Sequence, residues 1–178
     1  MTLIAVICTG NICRSPMAEH MIRAAAEEAG LFEVFVTSAA TTGWEVGNPI
    51  DPRALAILRE LGLDAEDHVA RQFEVVEFNN VDLVLALDTE HYMTLRHMAP
   101  TAHDRAKVRM IRAFDPKVAH HGVEAQGIYD PWYGEMSDFE TVRDLISAAI
   151  PGIIDYVREI HENPRRHQSP PGEDNDQD

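Results

Sequence analysis

The residues best suited to chemistry lie in one short segment near the start of the chain, residues 8–15, which reads CTGNICRS. A cysteine thiolate is the nucleophile in many enzymes that form covalent intermediates. An arginine guanidinium can hold two phosphate oxygens in a bidentate contact. Cys8 and Arg14 therefore suggest attack on a phosphate ester, with Arg14 binding the phosphate. This pair of residues is a weak signal alone, so the surrounding sequence pattern is needed to support a phosphate-binding loop.

The pattern around this segment predicts a strand, a tight loop and a helix. Residues 3–7 are a continuous apolar run, typical of a strand buried on both faces. Ser15 followed by Pro16 is typical of a helix start, with Ser15 as the N-cap. Gly10 permits tight backbone geometry, so that backbone N–H groups and the helix dipole can hold an anion. This setting favours the thiolate of Cys8, to which the Ser15 hydroxyl can donate. The alternative to a catalytic pair is a buried cysteine that happens to lie near a surface arginine. That alternative would not require a strand, a tight loop and a helix start in succession.

A second segment, YDPWYG at residues 129–134, supplies a candidate general acid. Phosphoryl transfer to a cysteine expels an alkoxide or phenoxide, which must be protonated. Asp130 is the best candidate, because Pro131 restricts its backbone and the flanking aromatic rings would partly shield it from water. An aspartate before proline is commonly a simple turn residue, and the residues alone leave that alternative open.

Strand and helix patterns alternate along most of the chain, which predicts an α/β fold with a parallel sheet and helices on both faces. Strands are predicted at residues 3–7, 33–37, 82–87 and 107–111, and helices at 15–29, 51–61, 71–78, 88–98 and from 137 onward. Residues 137–140 form a predicted capping box, and Pro151 should kink or split the last helix. Asp88 follows the third strand. We expect it to be the N-cap of the next helix, and an active-site contact is the second interpretation.

The composition is that of an ordinary globular domain with a strongly acidic balance. The chain has 178 residues, with 15 basic and 30 acidic side chains and a net charge of −15. Such a surface repels nucleic acid and anionic lipid, so we expect neither nucleic acid nor a membrane as a partner. Two cysteines form no disulfide framework and indicate a cytosolic protein. The nine histidines show no metal-binding spacing, so we expect no metal and no cofactor.

Several segments of the chain resemble the low-molecular-weight protein tyrosine phosphatase family. They are CTGNICRSPMAE at residues 8–19, TSAATTGWEVGNPIDPR at 37–53, HVARQ at 68–72, LALD at 85–88 and DPWYGEMSDFETV at 130–142. The resemblance covers about residues 3–161 in the family's order. It implies the family's flavodoxin-like architecture, a four-stranded parallel sheet with helices on both faces. We therefore expect a phosphatase domain at residues 1–163 and a disordered acidic tail at 164–178.

The resemblance also implies roles for single residues. Cys8 matches the nucleophile that forms a phosphocysteine, Arg14 the phosphate-binding arginine, and Asp130 the general acid that later activates water. The remaining positions of the phosphate-binding loop are Thr9, Gly10, Asn11, Ile12, Cys13 and Ser15. Two of these, Asn11 and Ser15, match a polar network that supports the loop, together with Ser38 and His68. The walls around the substrate ring are matched by Trp44, Trp132 and Tyr133. Trp132 stands where the family commonly has tyrosine, and an indole can still stack on a ring.

The second cysteine of the loop, Cys13, has two interpretations. It matches a family cysteine that can pair with the nucleophile under oxidation, which would protect Cys8 from irreversible oxidation. The alternative is a small, packed residue without a redox role.

The resemblance implies a protein tyrosine phosphatase that acts on a phosphotyrosine-containing protein or a small aryl phosphate. We expect a cytoplasmic monomer, with secretion independent of a signal peptide left open. An arsenate reductase would need further cysteines beyond the loop, and the chain has none after Cys13. A protein arginine phosphatase tends to have threonine where Ile12 stands. A catalytically silent binding or redox-sensing module is disfavoured by the intact Cys8, Arg14 and Asp130.

Overall fold

The computed structural model describes residues 1–162, which are built around a parallel sheet of four strands. The strands are β1 (Thr2–Cys8), β2 (Val34–Ala40), β3 (Leu83–Ala86) and β4 (Val108–Met110), in the order β2-β1-β3-β4. Every pair is parallel, with Cys8 opposite Ala40 and Ile7 opposite Ala86. The predicted four-stranded parallel sheet is confirmed. The predicted acidic tail at 164–178 lies outside the described residues.

Helices cover both faces of this sheet, as predicted. They are α1 (Arg14–Glu28), α2 (Pro52–Glu60), α3 (Thr89–Met98), α4 (Ala102–Lys107) and α5 (Met136–Glu162), with short 3-10 turns at Val75–Asn79, Ile111–Phe114 and Val123–Gln126. Alternate side chains of β1 point to opposite faces. Ile4 and Val6 pack in one core with α1, α2 and α5, whereas Ala5 and Ile7 pack in a second core with Leu95 of α3. The carboxyl ends of the strands therefore share one open edge, where ligands bind in such sheets.

The structure corrects several local predictions. Helix α1 begins at Arg14, so Ser15 lies inside the first turn and is not the N-cap. The helix predicted at 71–78 is only the 3-10 turn at Val75–Asn79, because the preceding residues extend beside β2 and Ala40 bridges Gln72. Residues 102–107, which the sequence left without a predicted element, form α4. The fourth strand is also shorter than predicted.

Helix α5 is not split at Pro151, one of the two outcomes expected there. It runs without interruption over Met136–Glu162. Its inward face is fully buried and keeps the helix intact through the proline; that face includes Phe139, Val142, Ile146, Ala149 and Ile153. The helix starts one residue before the predicted cap Ser137, and the Asp138 carboxylate accepts the Glu135 N–H at 2.8 Å. Within residues 1–162, no helix is long and apolar enough to cross a bilayer.

Candidate active site

The loop that joins β1 to α1 holds a strained residue at its centre. Asn11 is fully buried and has φ 60°, in the left-handed region that asparagine tolerates better than most residues. The unusual backbone conformation of the loop, which the sequence predicted at Gly10, is therefore adopted by Asn11. Gly10 is small for a different reason, because a Cβ there would lie 3.0 Å from Cγ of Glu45 in the loop after β2.

Two hydrogen-bond donors point at the Cys8 sulfur. The sulfur is buried and lies 3.0 Å from the Ser15 hydroxyl and 3.3 Å from the Asn11 backbone nitrogen. The Asn11 side-chain amide donates to the Ser15 oxygen at 2.9 Å. The Ser15 hydrogen has two acceptors within reach, the Cys8 sulfur at 3.0 Å and the more distant Ala39 carbonyl at 3.4 Å. Both contacts with the sulfur stabilise negative charge on Cys8, as the sequence anticipated for the Ser15 hydroxyl.

A polar network fixes the backbone of the loop from behind. The Asn11 amide donates to the Ser38 hydroxyl at 2.8 Å, which in turn donates to Glu19 at 2.5 Å. His68 Nε2 donates to the Asn11 carbonyl at 2.7 Å, and the Arg71 backbone N–H donates to Asn11 Oδ1 at 3.0 Å. Ser38 and His68 thus contact the loop where the resemblance put them. Glu19 and Arg71 lie in segments that the sequence analysis quoted, but it gave them no role.

Arg14 is buried and its guanidinium lies between two carboxylates. Nη1 donates to Asp88 at 2.8 Å and to the Ile128 carbonyl at 3.0 Å. Nη2 donates to Asp130 at 2.7 Å and to the Thr9 hydroxyl at 3.4 Å. Asp88 also accepts the His91 backbone N–H at 3.0 Å as the N-cap of α3, so both roles considered for it hold. The guanidinium is therefore held in one orientation at the carboxyl edge of the sheet.

The loop that carries Asp130 is tied to the start of α2 by Arg53. The Arg53 guanidinium donates to the Gly134 carbonyl at 2.8 Å and to the Trp132 carbonyl at 3.1 Å. It is paired with Asp51 at 2.9 Å. The Asp51 backbone N–H donates to the Ile12 carbonyl in the phosphate-binding loop at 2.8 Å. One chain of contacts thus links the loop of the nucleophile to the loop of the candidate acid, a connection that the sequence analysis did not find.

These loops surround one cavity of about 370 Å³. Its lining comprises Cys8, Thr9, Gly10, Ile12, Cys13, Arg14, Trp44, Glu45, Asp130, Trp132 and Tyr133. Cys8 and Arg14 are buried at its floor, whereas Trp44 and Tyr133 are 79% and 97% exposed at its rim. The predicted nucleophile, phosphate ligand, acid and aromatic walls are therefore brought together around a single opening.

Cys13 lines the same cavity, and both cysteines are free thiols. Burial, followed by the nearby carboxylate of Asp51, raises the pKa of Cys13 well above its ordinary value. Cys13 is therefore a neutral thiol at pH 7. Nowhere in residues 1–162 do three histidine, cysteine, aspartate or glutamate side chains cluster so that they could hold a metal ion.

His91, in the first turn of α3, is a site residue to which the sequence analysis gave no role. It is 1% exposed, and its Nε2 lies 2.8 Å from the Thr9 hydroxyl. Burial lowers the pKa of His91 to about 4, although Asp88 opposes this shift, so the imidazole is neutral at pH 7. The only signal in the sequence is its position three residues after the cap Asp88.

Comparisons with known proteins point to one family. The sequence model described as low molecular weight phosphotyrosine protein phosphatase matches residues 3–165. A low molecular weight protein-tyrosine-phosphatase from Streptomyces coelicolor is 46% identical over 157 residues, 88% of this chain and 93% of that protein. Low molecular weight protein-tyrosine phosphatase A from Mycobacterium tuberculosis is 44% identical over 157 residues, 88% of this chain and 91% of that protein. A crystal structure of a protein tyrosine phosphatase from Entamoeba histolytica has a TM-score of 0.81 at 26% identity, covering 89% of this chain and 98% of that chain.

The chain belongs to the low molecular weight phosphotyrosine protein phosphatase family. The resemblance read from the sequence is confirmed, and this phosphatase is a hydrolase. Its likeness to the Entamoeba structure confirms the predicted fold. Within that fold, Cys8 ends β1 and Arg14 begins α1, on either side of the first loop, and Asp130 reaches the same cavity from a loop far along the chain.

Proposed function

We propose that this phosphatase hydrolyses phosphotyrosine, in proteins or as small aryl phosphates, through a phosphocysteine on Cys8. The observation that supports this most directly is the convergence of three side chains on one cavity. The Cys8 sulfur, the Arg14 guanidinium and the Asp130 carboxyl all line it. Nucleophile, anion ligand and acid are the three groups that phosphoryl transfer to a thiolate requires.

In the first step, Arg14 binds the phosphate and the Cys8 thiolate attacks phosphorus. The S–P bond forms as the bond between phosphorus and the tyrosyl oxygen breaks, and Asp130 donates a proton to that oxygen. Asp130 Oδ2 lies 2.7 Å from Arg14 Nη2, so a phosphate held by this guanidinium is within reach of the carboxyl. Proton donation of this kind accelerates a reaction by roughly 10²–10⁴-fold.

In the second step, a water molecule attacks the phosphocysteine. Asp130, now ionised, takes a proton from the water, the S–P bond breaks and inorganic phosphate leaves. The departing sulfur regains its negative charge, and the Ser15 hydroxyl and the Asn11 N–H stabilise it. These donors are fixed before the reaction, so they need no reorganisation as charge develops.

The shape of the cavity supports an aryl phosphate as the substrate. Cys8 is 3% exposed beneath a rim that includes Trp44, Trp132 and Tyr133. A phenyl phosphate is long enough to reach the sulfur while its ring packs against these aromatic side chains. A phosphoserine is shorter and would leave the rim contacts unused. Ile12 adds an apolar surface to the cavity, which favours a flat ring over a guanidinium.

The experiment that tests this proposal compares phosphotyrosine, phosphoserine and phosphoarginine peptides, with reductant and without added metal. We expect wild type to hydrolyse phosphotyrosine, and Cys8→Ser to hydrolyse none. A preference for phosphoarginine would assign the enzyme to a different substrate class. Absence of turnover with every peptide would contradict the phosphatase mechanism and leave a binding module.

The acid role of Asp130 has its own test. Asp130→Asn should slow the release of a weak leaving group such as phenol far more than that of 4-nitrophenol, which departs without a proton. Equal slowing for the two esters would contradict general-acid catalysis by Asp130.

Oxidation of the loop is a second part of the proposal. Peroxide would convert the Cys8 thiolate to a sulfenic acid, and the Cys13 sulfur would displace water from it to form a disulfide. The raised pKa of Cys13 predicts that this closure is slow at pH 7. Mass spectrometry after peroxide treatment should detect the disulfide, and Cys13→Ser should make inactivation irreversible. Full recovery of Cys13→Ser by reductant would count against a protective role.

We also propose that the enzyme is a monomer and that it is located in the cytoplasm. Both cysteines are free, which is the state that a reducing compartment maintains. Light scattering during size-exclusion chromatography and cell fractionation test the two statements separately. A stable dimer would refute the first, and recovery outside the cytoplasm would refute the second.

A further inference from the structure

His91 is a buried polar residue that the chemistry proposed above does not use. It is 1% exposed and lies behind Arg14, on the first turn of α3. Its Nε2 contacts the Thr9 hydroxyl at 2.8 Å, and its Nδ1 lies 3.0 Å from Asp88 Oδ1 at an angle that makes no hydrogen bond. Thr9 and Asp88 are both contacts of Arg14, so His91 lies against two of the four groups within residues 1–162 that accept from the guanidinium.

His91, Thr9 and Arg14 form a chain of contacts. Arg14 Nη2 can only donate, so the Thr9 oxygen accepts from it at 3.4 Å. An unprotonated Nδ1 would place a lone pair 3.0 Å from the Asp88 carboxylate, so we assign the proton of the neutral imidazole to Nδ1. Nε2 is then the acceptor for the Thr9 hydroxyl at 2.8 Å. Through Thr9, the imidazole is therefore linked to the guanidinium of Arg14.

We propose that His91 is a positioning residue for phosphate binding, acting through Thr9 to hold the Arg14 guanidinium in its binding orientation. The inference rests on the proposed role of Arg14 as the phosphate ligand. The charged and titratable groups around the imidazole are Asp88, Arg14 and Asp130. A neutral imidazole suits this place because it accepts from Thr9 without adding a positive charge beside Arg14. Burial keeps the pKa of His91 at about 4, which maintains that state at pH 7.

The test measures the competitive inhibition constant of inorganic phosphate against hydrolysis of 4-nitrophenyl phosphate at pH 7. His91→Leu removes the acceptor for Thr9, and we expect its inhibition constant to rise about tenfold. His91→Gln keeps an acceptor near the position of Nε2 and should recover most of this loss. His97→Gln changes an exposed histidine on the same helix and is the matched control, with phosphate inhibition equal to wild type.

A second measurement separates positioning from a general loss of structure. The donors to the Cys8 sulfur come from Ser15 and Asn11, which are not among the contacts that link His91 to Arg14. The rate of Cys8 alkylation by iodoacetamide should therefore be the same in wild type and His91→Leu. A rise in the inhibition constant with parallel changes in alkylation rate and melting temperature, and no recovery in His91→Gln, would overturn the proposal.

Thr9→Val keeps the test decisive if His91→Leu does not fold. It removes the hydroxyl link while His91 stays in place, and we expect a similar rise in the inhibition constant. Combining Thr9→Val with His91→Gln should give the same inhibition constant as Thr9→Val alone, because the hydroxyl that residue 91 accepts from is already absent. Wild-type phosphate inhibition in Thr9→Val, or a further rise of the inhibition constant in the double variant, would overturn the positioning role alone. A wild-type enzyme that inorganic phosphate does not inhibit would overturn both this role and the proposed function of Arg14.

Discussion

Lowering the pH from 7 to 5 should destabilise this phosphatase, and His91 should account for about 2 kcal/mol of the loss. Burial lowers the pKa of His91 from 6.5 to about 4; Asp88 and Asp130 oppose this shift, and Arg14 reinforces it. In the unfolded chain the same imidazole titrates near its ordinary value. As the pH falls through 6.5, the unfolded chain therefore binds a proton that the folded chain does not, and acid favours unfolding.

The size of the effect follows from the two pKa values. The difference between 6.5 and about 4 corresponds to about 3 kcal/mol at about 1.4 kcal/mol per pH unit. The loss begins as the pH falls through the unfolded pKa and stops below about 4, where the folded imidazole is protonated too. Between pH 7 and 5, about 2 kcal/mol of it should be observed.

Urea unfolding of wild type and His91→Gln at pH 7, 6 and 5 provides the measurement. All other histidines and all carboxyl groups are common to both proteins, so their contribution largely cancels in the difference. The unfolding free energy of wild type relative to the variant should fall by about 2 kcal/mol from pH 7 to 5. A difference that stays constant over this range would refute the burial argument for His91.

Three further predictions follow from the contacts of the site. Ser15→Ala removes a donor to the departing Cys8 sulfur, so hydrolysis of the phosphoenzyme should slow by about tenfold and the burst of 4-nitrophenol should grow. Arg53→Met unties the loop of Asp130, so kcat should fall more for phenyl phosphate than for 4-nitrophenyl phosphate; an equal fall would exclude a link to the acid. Asn11→Ala loses several buried hydrogen bonds at a left-handed position, so the unfolding free energy should fall by about 3 kcal/mol, measured by urea titration.

The parts of the site that the sequence predicted well are those encoded locally. The apolar run before Cys8, the loop itself and the helix that follows all lie within residues 3–28, so their geometry depends on near neighbours. The fold class followed in the same way from alternating strand and helix patterns. Local patterns failed where packing overrides propensity, as at Pro151, where a buried helix face maintains the helix across a residue that ordinarily ends one.

The parts that the sequence did not predict depend on contacts between distant segments. Arg53 reaches the carbonyls of Trp132 and Gly134, and His91 reaches Thr9. No spacing rule connects residues so far apart, and each has an ordinary local interpretation, in a helix N-terminus or on a helix face. A buried histidine in the first turn of a helix carries no sequence signal that distinguishes it from a packed core residue.

We expect this acidic chain to bind a phosphate dianion because the proposed site relies on backbone geometry rather than on the net charge of the chain. Arg14 forms ion pairs with Asp88 and Asp130, and Asp88 still pairs with it when Asp130 carries the proton that the first step requires, so the guanidinium supplies direction more than surplus charge. Helices α2, α3 and α4 are each capped by a side chain, from Asp51, Asp88 and Thr101. Helix α1 has no side-chain cap and no acidic residue in its first turn, within the part of the chain that the structure describes. We therefore expect its N-terminal N–H groups and dipole to bind the phosphate, in the place that a capping oxygen occupies in those three helices.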